Sequence, residues 1–251
     1  MKPKGGLIHV TAVAFVLATA ATSHAQTCPI PGEADPKLGQ IDARDRVTFL
    51  RTQLGAQARY ARNWTWGWFG INSAVLAGSI GLTAIAAATD DVDQRTDGIV
   101  TSIFAAVLPL GNLIIRLRVE TDGVRFLRLD HLDTEASRCT LVRRGEQFLE
   151  RDADDEAFNN GWITQVLIVG GNAALFLFLG VGYGHWLNAT LNSVGGLALN
   201  ELQFFTQPTG LMGAWKRYKA GDLGTAAPHA TVGVVPQLSA GSFGLGVVGT
   251  F

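Results

Sequence analysis

Charge is scarce in this sequence. Asp, Glu, Lys and Arg make up 16% of the chain, against about 25% in an ordinary soluble domain. Acids and bases nearly balance, leaving a formal net charge of −1, so nothing favours a polyanionic partner and nucleic acid is not expected to bind. Cysteine is almost absent too. With only Cys28 and Cys139 the chain cannot build a four-thiolate metal site, and an isolated pair in an exported protein reads as one disulfide. No nucleophile, base and acid stand together in a catalytic pattern, and no metal-ligand or cofactor motif is present. The expectation is a non-enzyme without a cofactor.

What the chain has instead is apolar and small. Hydrophobic residues reach 47% and glycines number 30, the balance of a membrane helix protein, in which small residues let helices approach closely. The N-terminus adds an address. Lys2 and Lys4 precede an uncharged stretch from Leu7 to Ala21, and Ser23-His24-Ala25 sets small residues at the −3 and −1 positions of a cleavage site. This pattern predicts a signal peptide over residues 1–25, exporting the chain to a bacterial envelope with its mature N-terminus on the periplasmic side of the inner membrane.

Residues 26–66 read as an external lead-in and an amphipathic helix. Val47, Leu50, Leu54, Ala58 and Ala61 recur at three- and four-residue spacing, and Trp64, Trp66 and Trp68 then mark a membrane interface. Residues 67–118 read as a first membrane hairpin. Gly67 to Ala88 is uncharged, and Ile99 to Ile115 is a second run containing Pro109 and Gly111. In the first run Gly70, Ala74 and Gly78, and beside them Ser73, Ala77 and Gly81, form two small-residue stripes on one face, expected to pack against another helix. Residues 119–158 form a polar helical insert, with Phe126, Leu129, Leu132 and Ala136 on one stretch. Residues 159–207 form a second hairpin, and 208–251 an interfacial helix and a Gly/Val-rich tail.

The expected fold is therefore all-α: a membrane-embedded bundle of two duplicated helical hairpins, about four spans, with amphipathic external helices and a short C-terminal β-hairpin. The duplication rests on Gly67-Trp68 and Gly161-Trp162, each opening a long apolar run. One tension is visible. Export places the insert outside, yet eight arginines lie between Arg116 and Arg151, whereas the positive-inside rule prefers them in the cytoplasm. An exported or outer-membrane-associated helical protein without true spans is an alternative that removes it.

Asn112, Asn192, Asn200 and Glu201 are the candidate ligand-binding residues, because polar groups in apolar runs are costly and turn towards a bundle interior. They serve either interhelical hydrogen bonding or a small transporter or channel centred on Glu201. Ala77-Gly78-Ser79-Ile80-Gly81 and Ala240-Gly241-Ser242-Phe243-Gly244 resemble a hydrolase nucleophile elbow, but the first lies in mid-helix and no histidine follows the second. The alternation of Phe243, Leu245, Val247, Gly249 and Phe251 is similar to the closing strand of outer-membrane β-barrels, without the repeated strands such a barrel needs. The expected partners are the lipid bilayer and either a second copy or another envelope protein, and the expected role is structural or in assembly.

Overall fold

The computed structural model describes residues 25–89, 91–114, 117–224, 231–239 and 242–250. The leader up to His24, Arg116 and the final Phe251 lie outside them. From Ala25 to Gly224 every regular element among the described residues is helical.

One helix organises the molecule. α1 (Ala43–Ala88) runs 46 residues without a break, about 70 Å at 1.5 Å per residue. Asp42 starts it, accepting the Arg44 N–H at 2.7 Å and the Gln26 N–H at 3.2 Å, which satisfies a donor that the first turn would leave orphaned. The boundary expected at residue 66 passes through the middle of this helix. No proline lies between Ala43 and Ala88, so nothing stops the amphipathic half from continuing into the apolar one.

The remaining helices sort by which half of α1 they touch. α2 (Val92–Ile114) packs along the second half. α3 (Arg118–Leu127), α4 (Arg138–Asn159) and α7 (Leu211–Lys219) surround the first half and build a head. α5 (Trp162–Tyr183) and α6 (Trp186–Phe205) form a second hairpin. Its turn is set by Gly184, whose φ of 74° is the left-handed conformation a helix C-cap requires. His185 N–H reaches back to the Leu179 carbonyl at 3.1 Å and Gly184 N–H to Gly180 at 3.0 Å, closing the chain end with paired carbonyls.

The head holds the larger core. Val47, Leu50 and Leu54 from α1 meet Phe126 from α3, Leu141 and Leu149 from α4, and Leu211 and Tyr218 from α7, all buried. Each fully buried aliphatic side chain contributes about 1.5–3 kcal/mol against exposure. Cys28 and Cys139 form a disulfide that straps the Pro-rich lead-in to the first turn of α4. A smaller cluster, Val100, Leu175, Leu179 and Ala189, joins α2, α5 and α6.

Three helical runs are long and apolar enough to cross a membrane: α1, the run that begins with α2, and the run that ends with α5 at Tyr183. α6 is a complete helix but is not among them. Its Asn188, Asn192, Asn200, Glu201 and Gln203 lower its hydropathy.

The insert departs from expectation in detail. The continuous stretch read through Phe126, Leu129, Leu132 and Ala136 ends as an α-helix at Leu127, passes through a 3-10 turn (Arg128–Leu132) and restarts at Arg138. Two ion pairs hold the break: Asp133 accepts from Arg138 at 2.8 Å and from Arg51 of α1 at 2.9 Å, and these guanidinium groups, Arg138 first, hold its carboxyl below the usual range. The polar segment from Thr89 to Gly98 is likewise shorter as a turn than its composition suggests. Asp91 accepts the Gln94 N–H at 2.9 Å, and α2 has already begun at Val92.

Candidate functional site

The candidate polar residues in the apolar helices do not gather in one place. Asn112 of α2 accepts from Gln203 Nε2 of α6 at 2.9 Å, and Gln203 Oε1 accepts from Asn72 of α1 at 3.4 Å. Asn192 turns back to the Asn188 carbonyl of its own helix at 2.9 Å. Glu201 faces the other hairpin partner, accepting from Gln165 of α5 at 3.4 Å, and Asn200 is half-buried without joining either set. Gln203, which was not among the four candidates, links Asn112 of α2 to Asn72 of α1. A glutamine among asparagines on a weakly apolar helix carries no sequence signal of that role.

The small-residue stripes do not pack within the described chain. Ala74, Ala77, Gly78 and Gly81 are exposed, Gly70 and Ser73 are half-buried, and a Cβ added at Gly78 or Gly81 would meet nothing within 4 Å. α1 turns a different face to α2. Ser79 Oγ accepts from Ser102 at 3.0 Å, Thr83 sits directly beneath Gly98, and Asn72 and Ala86 are buried. Hydroxyls and an amide that need partners in an apolar setting claim the intramolecular face, which leaves the glycines and alanines outside.

Where the head meets the apolar helices, Thr206 at the end of α6 is the joint. Its Oγ accepts from Trp64 Nε1 and Trp68 Nε1, each at 3.1 Å, and its carbonyl accepts from Tyr60 at 3.1 Å. Three aromatic residues from successive turns of α1 thereby converge on Thr206, and Trp162 is exposed at the start of α5. The two Gly-Trp marks sit differently. Gly67 lies inside unbroken α1, whereas Gly161 is the extended residue before α5.

Charge inside the head is buried in pairs. Arg46 is fully enclosed beside the disulfide. It donates to Glu146, to the Tyr218 hydroxyl at 2.9 Å, and to the carbonyls of Cys28 at 2.9 Å and Pro29 at 3.0 Å. The Tyr218 hydroxyl donates in turn to Glu146 at 2.6 Å. Burial, reinforced by the Glu146 carboxylate, pushes the Tyr218 phenol far up and keeps it a neutral donor. Four of the arginines that strained the expected orientation are ion-paired as well, three of them at the surface and Arg138 buried. Arg118 faces Asp155, Arg125 and Arg151 face Asp122, and Arg138 faces Asp133.

A second acidic group lies between α3 and α4, just above the joint. Asp122 and Asp152 are each 2% exposed. Glu156 caps α7, accepting from Gly210 N–H at 3.1 Å and Leu211 N–H at 2.7 Å, though burial still raises its carboxyl. Neither Asp152 oxygen has a donor, and Gln207 Oε1 nearby is also buried and unpaired. Asp152 and Gln207 line a small cavity with Arg118, Asp155 and Asn159. Among the described residues no group of three or more His, Cys, Asp or Glu is placed to hold a metal ion.

The far turn carries its own link. Asp97 of α2, buried, accepts from Asn188 and pairs with His185 Nδ1 at 2.5 Å, joining the two hairpins. The Asp97 hydrogen bond raises the His185 imidazole above its ordinary value.

No known protein family, curated protein or solved structure matches this chain. Its own geometry is therefore the ground for a functional reading.

Proposed function

We propose that this chain is a membrane-anchored structural or assembly protein of a bacterial envelope, with its disulfide-strapped head on the periplasmic side of the inner membrane and about four spans in two hairpins that repeat one plan. The observation that carries the reading is the bare small-residue face of α1. A helix that meets α2 at Ser79 and Thr83 and α6 through Asn72 leaves Ala74, Ala77, Gly78 and Gly81 of its two small-residue stripes exposed. In lipid such a face favours close approach of another helix. The same helix continues into the head core without a break, so an association made in the membrane is transmitted to the head.

Other features support the setting. A disulfide between Cys28 and Cys139 suits an oxidising compartment. Ala25 is exposed, and cleavage after it would free the Gln26 amine 3.2 Å from the capping carboxylate of Asp42, turning a hydrogen bond into an ion pair. In this reading the tail is a hairpin offered to the sheet edge of a partner, since Thr231–Ser239 and Ser242–Thr250 run antiparallel with Thr231 opposite Thr250.

The test is disulfide crosslinking in native membranes. Because the described chain has no free cysteine, single Ala74→Cys and Ala77→Cys variants introduce a unique thiol on the stripe. Both should yield one discrete crosslinked species, abolished by Gly78→Ile. Crosslinking no stronger than from Ile103→Cys, on an exposed face of α2, would reject an assembly role for the stripe.

A further inference from the structure

We propose that Asp122 and Asp152 share a single proton that locks the element leaving the first hairpin to the element entering the second, making the joint between head and apolar helices sensitive to pH. The position carries the argument first. Asp122 lies on α3, which follows α2, and Asp152 lies on α4, which leads into α5. The pair therefore bridges the two routes by which the hairpins enter the head.

The chemistry of the pair leaves few other arrangements. Both side chains are almost wholly removed from water, and Asp122 neighbours Asp152, held against that turn of α4 by its ion pair with Arg151. Two carboxylates so placed repel strongly in a low-dielectric site, and one proton between them converts the repulsion into a hydrogen bond. The surrounding charges decide which acid keeps the proton. Asp122 is ion-paired to Arg151 and Arg125. Asp152 has no donor on either oxygen, so it is the natural holder of the proton, donating it to Asp122. Burial and then the neighbouring Asp122 push the Asp152 carboxyl up to about 8.

The groups facing the pair come from α3 and α4. α3 contributes Arg118, Glu120 and Arg125, and α4 contributes Arg151, Asp155 and Glu156. From the α7 side the cavity is closed by Gln207, Pro208 and Leu211, which carry no charge. On α1, Ala58 packs against Gly123, and the neighbouring Arg59 and Arg62 are exposed. The three bases on α3 and α4 are already engaged by Asp122 and Asp155, so they do not compensate a second buried negative charge. The cavity of about 20 Å³ beside Asp152 has room for about one water, which would donate to the remaining Asp152 oxygen and to Gln207 Oε1.

A raised carboxyl pKa fixes the sign. Between its ordinary value near 4 and about 8 the folded protein binds a proton that the unfolded chain has released, so stability falls as pH rises through that interval and levels above it. Glu156 and His185, also raised, lean the same way, and the variant must separate Asp152 from them.

The experiment is thermal unfolding of the mature protein in detergent from pH 5 to 9.5, for the native chain, Asp152→Asn and His185→Gln. The asparagine amide would keep a donor to Asp122 without a titrating proton. The native midpoint should drop with rising pH. The Asp152→Asn midpoint should exceed it at pH 8.5 by at least ~3 °C and lose more than half of the pH slope, while His185→Gln keeps most of it. An unchanged slope in Asp152→Asn, or a midpoint below native at every pH, overturns the proposal. Infrared difference spectroscopy of the native chain gives a reading that needs no variant: a protonated-carboxyl band present at pH 6.5 and lost at pH 9.5 is expected, and its absence at pH 6.5 overturns the proposal. A midpoint raised by calcium at pH 7 would overturn it in favour of a bound cation.

Discussion

The two halves of α1 belong to the same helix but live by different rules. In the head half nearly every inward position is filled by a buried side chain, and the neighbours on α3, α4 and α7 close around it. In the apolar half only 22% of the most hydrophobic stretch is buried within the protein, and serine, threonine and asparagine make the polar contacts that form there. In water the head gains from hiding apolar surface. In the membrane setting proposed above, lipid would reward nothing for hiding the surface of the apolar helices, and hydrogen bonds and close fit would select the partner face. The difference explains why leucine spacing located the head core correctly, while glycine spacing pointed to a face the fold leaves bare.

That comparison is sharpest at the buried charges of the head. Removing one partner of an enclosed ion pair strands the other, at about 3–5 kcal/mol. Arg46→Met leaves Glu146 a buried carboxylate with only Tyr218 donating to it, and removes the Arg46 donor from the Cys28 and Pro29 carbonyls. Denaturant unfolding followed by near-ultraviolet dichroism should show the head opening early, with α1–α2 helicity retained. Loss of both halves together would break the division between them.

Next in size is the disulfide. The bridge closes a loop with a sequence separation of 111, and removing such a link typically costs about 2–4 kcal/mol. Cys28→Ser with Cys139→Ser should expose the Pro-rich lead-in and the 3-10 turn to limited proteolysis from the head side. Unaltered protease resistance would mean that the lead-in's hydrogen bonds to Arg46, Asp42, Arg138 and Lys219 suffice to hold it.

The smallest effect is a matched pair of glycine substitutions. At Gly145 an added Cβ would lie 2.7 Å from the Phe126 ring and 2.8 Å from Leu50, and overpacking of that kind costs about 1–3 kcal/mol. At Gly171 nothing lies within 4 Å, so alanine should be neutral or stabilising by up to ~1 kcal/mol through helix propensity. Equal destabilisation by Gly145→Ala and Gly171→Ala, read from thermal midpoints, would show that α5 is packed as tightly as the head.

Much of the architecture was legible from residue order. Helical spacing from Val47 to Ala61 and the uncharged lengths after Gly67 and Gly161 follow from local rules that need no neighbours. The candidate site was legible only in part. Asn112 does make an interhelical bond, but through Gln203, and Asn192 satisfies itself within its own helix. Asp152 resembles one member of a solvated acidic run, because Asp152, Asp154, Asp155 and Glu156 look alike in sequence. Helical rotation turns Asp152 and Glu156 inward and leaves Asp154 at the surface.

By itself the sequence determined that the chain is helical and apolar, where its long uncharged runs lie, and that two cysteines are all it has to join. Those are consequences of hydropathy, periodicity and count, which act along the chain. Only the tertiary structure decided that α1 passes unbroken from head to apolar end, that its small-residue face stays bare, and that Asp122 meets Asp152. These depend on which side of a helix is claimed first by groups that cannot remain unpaired, and that choice is made between segments far apart in the chain.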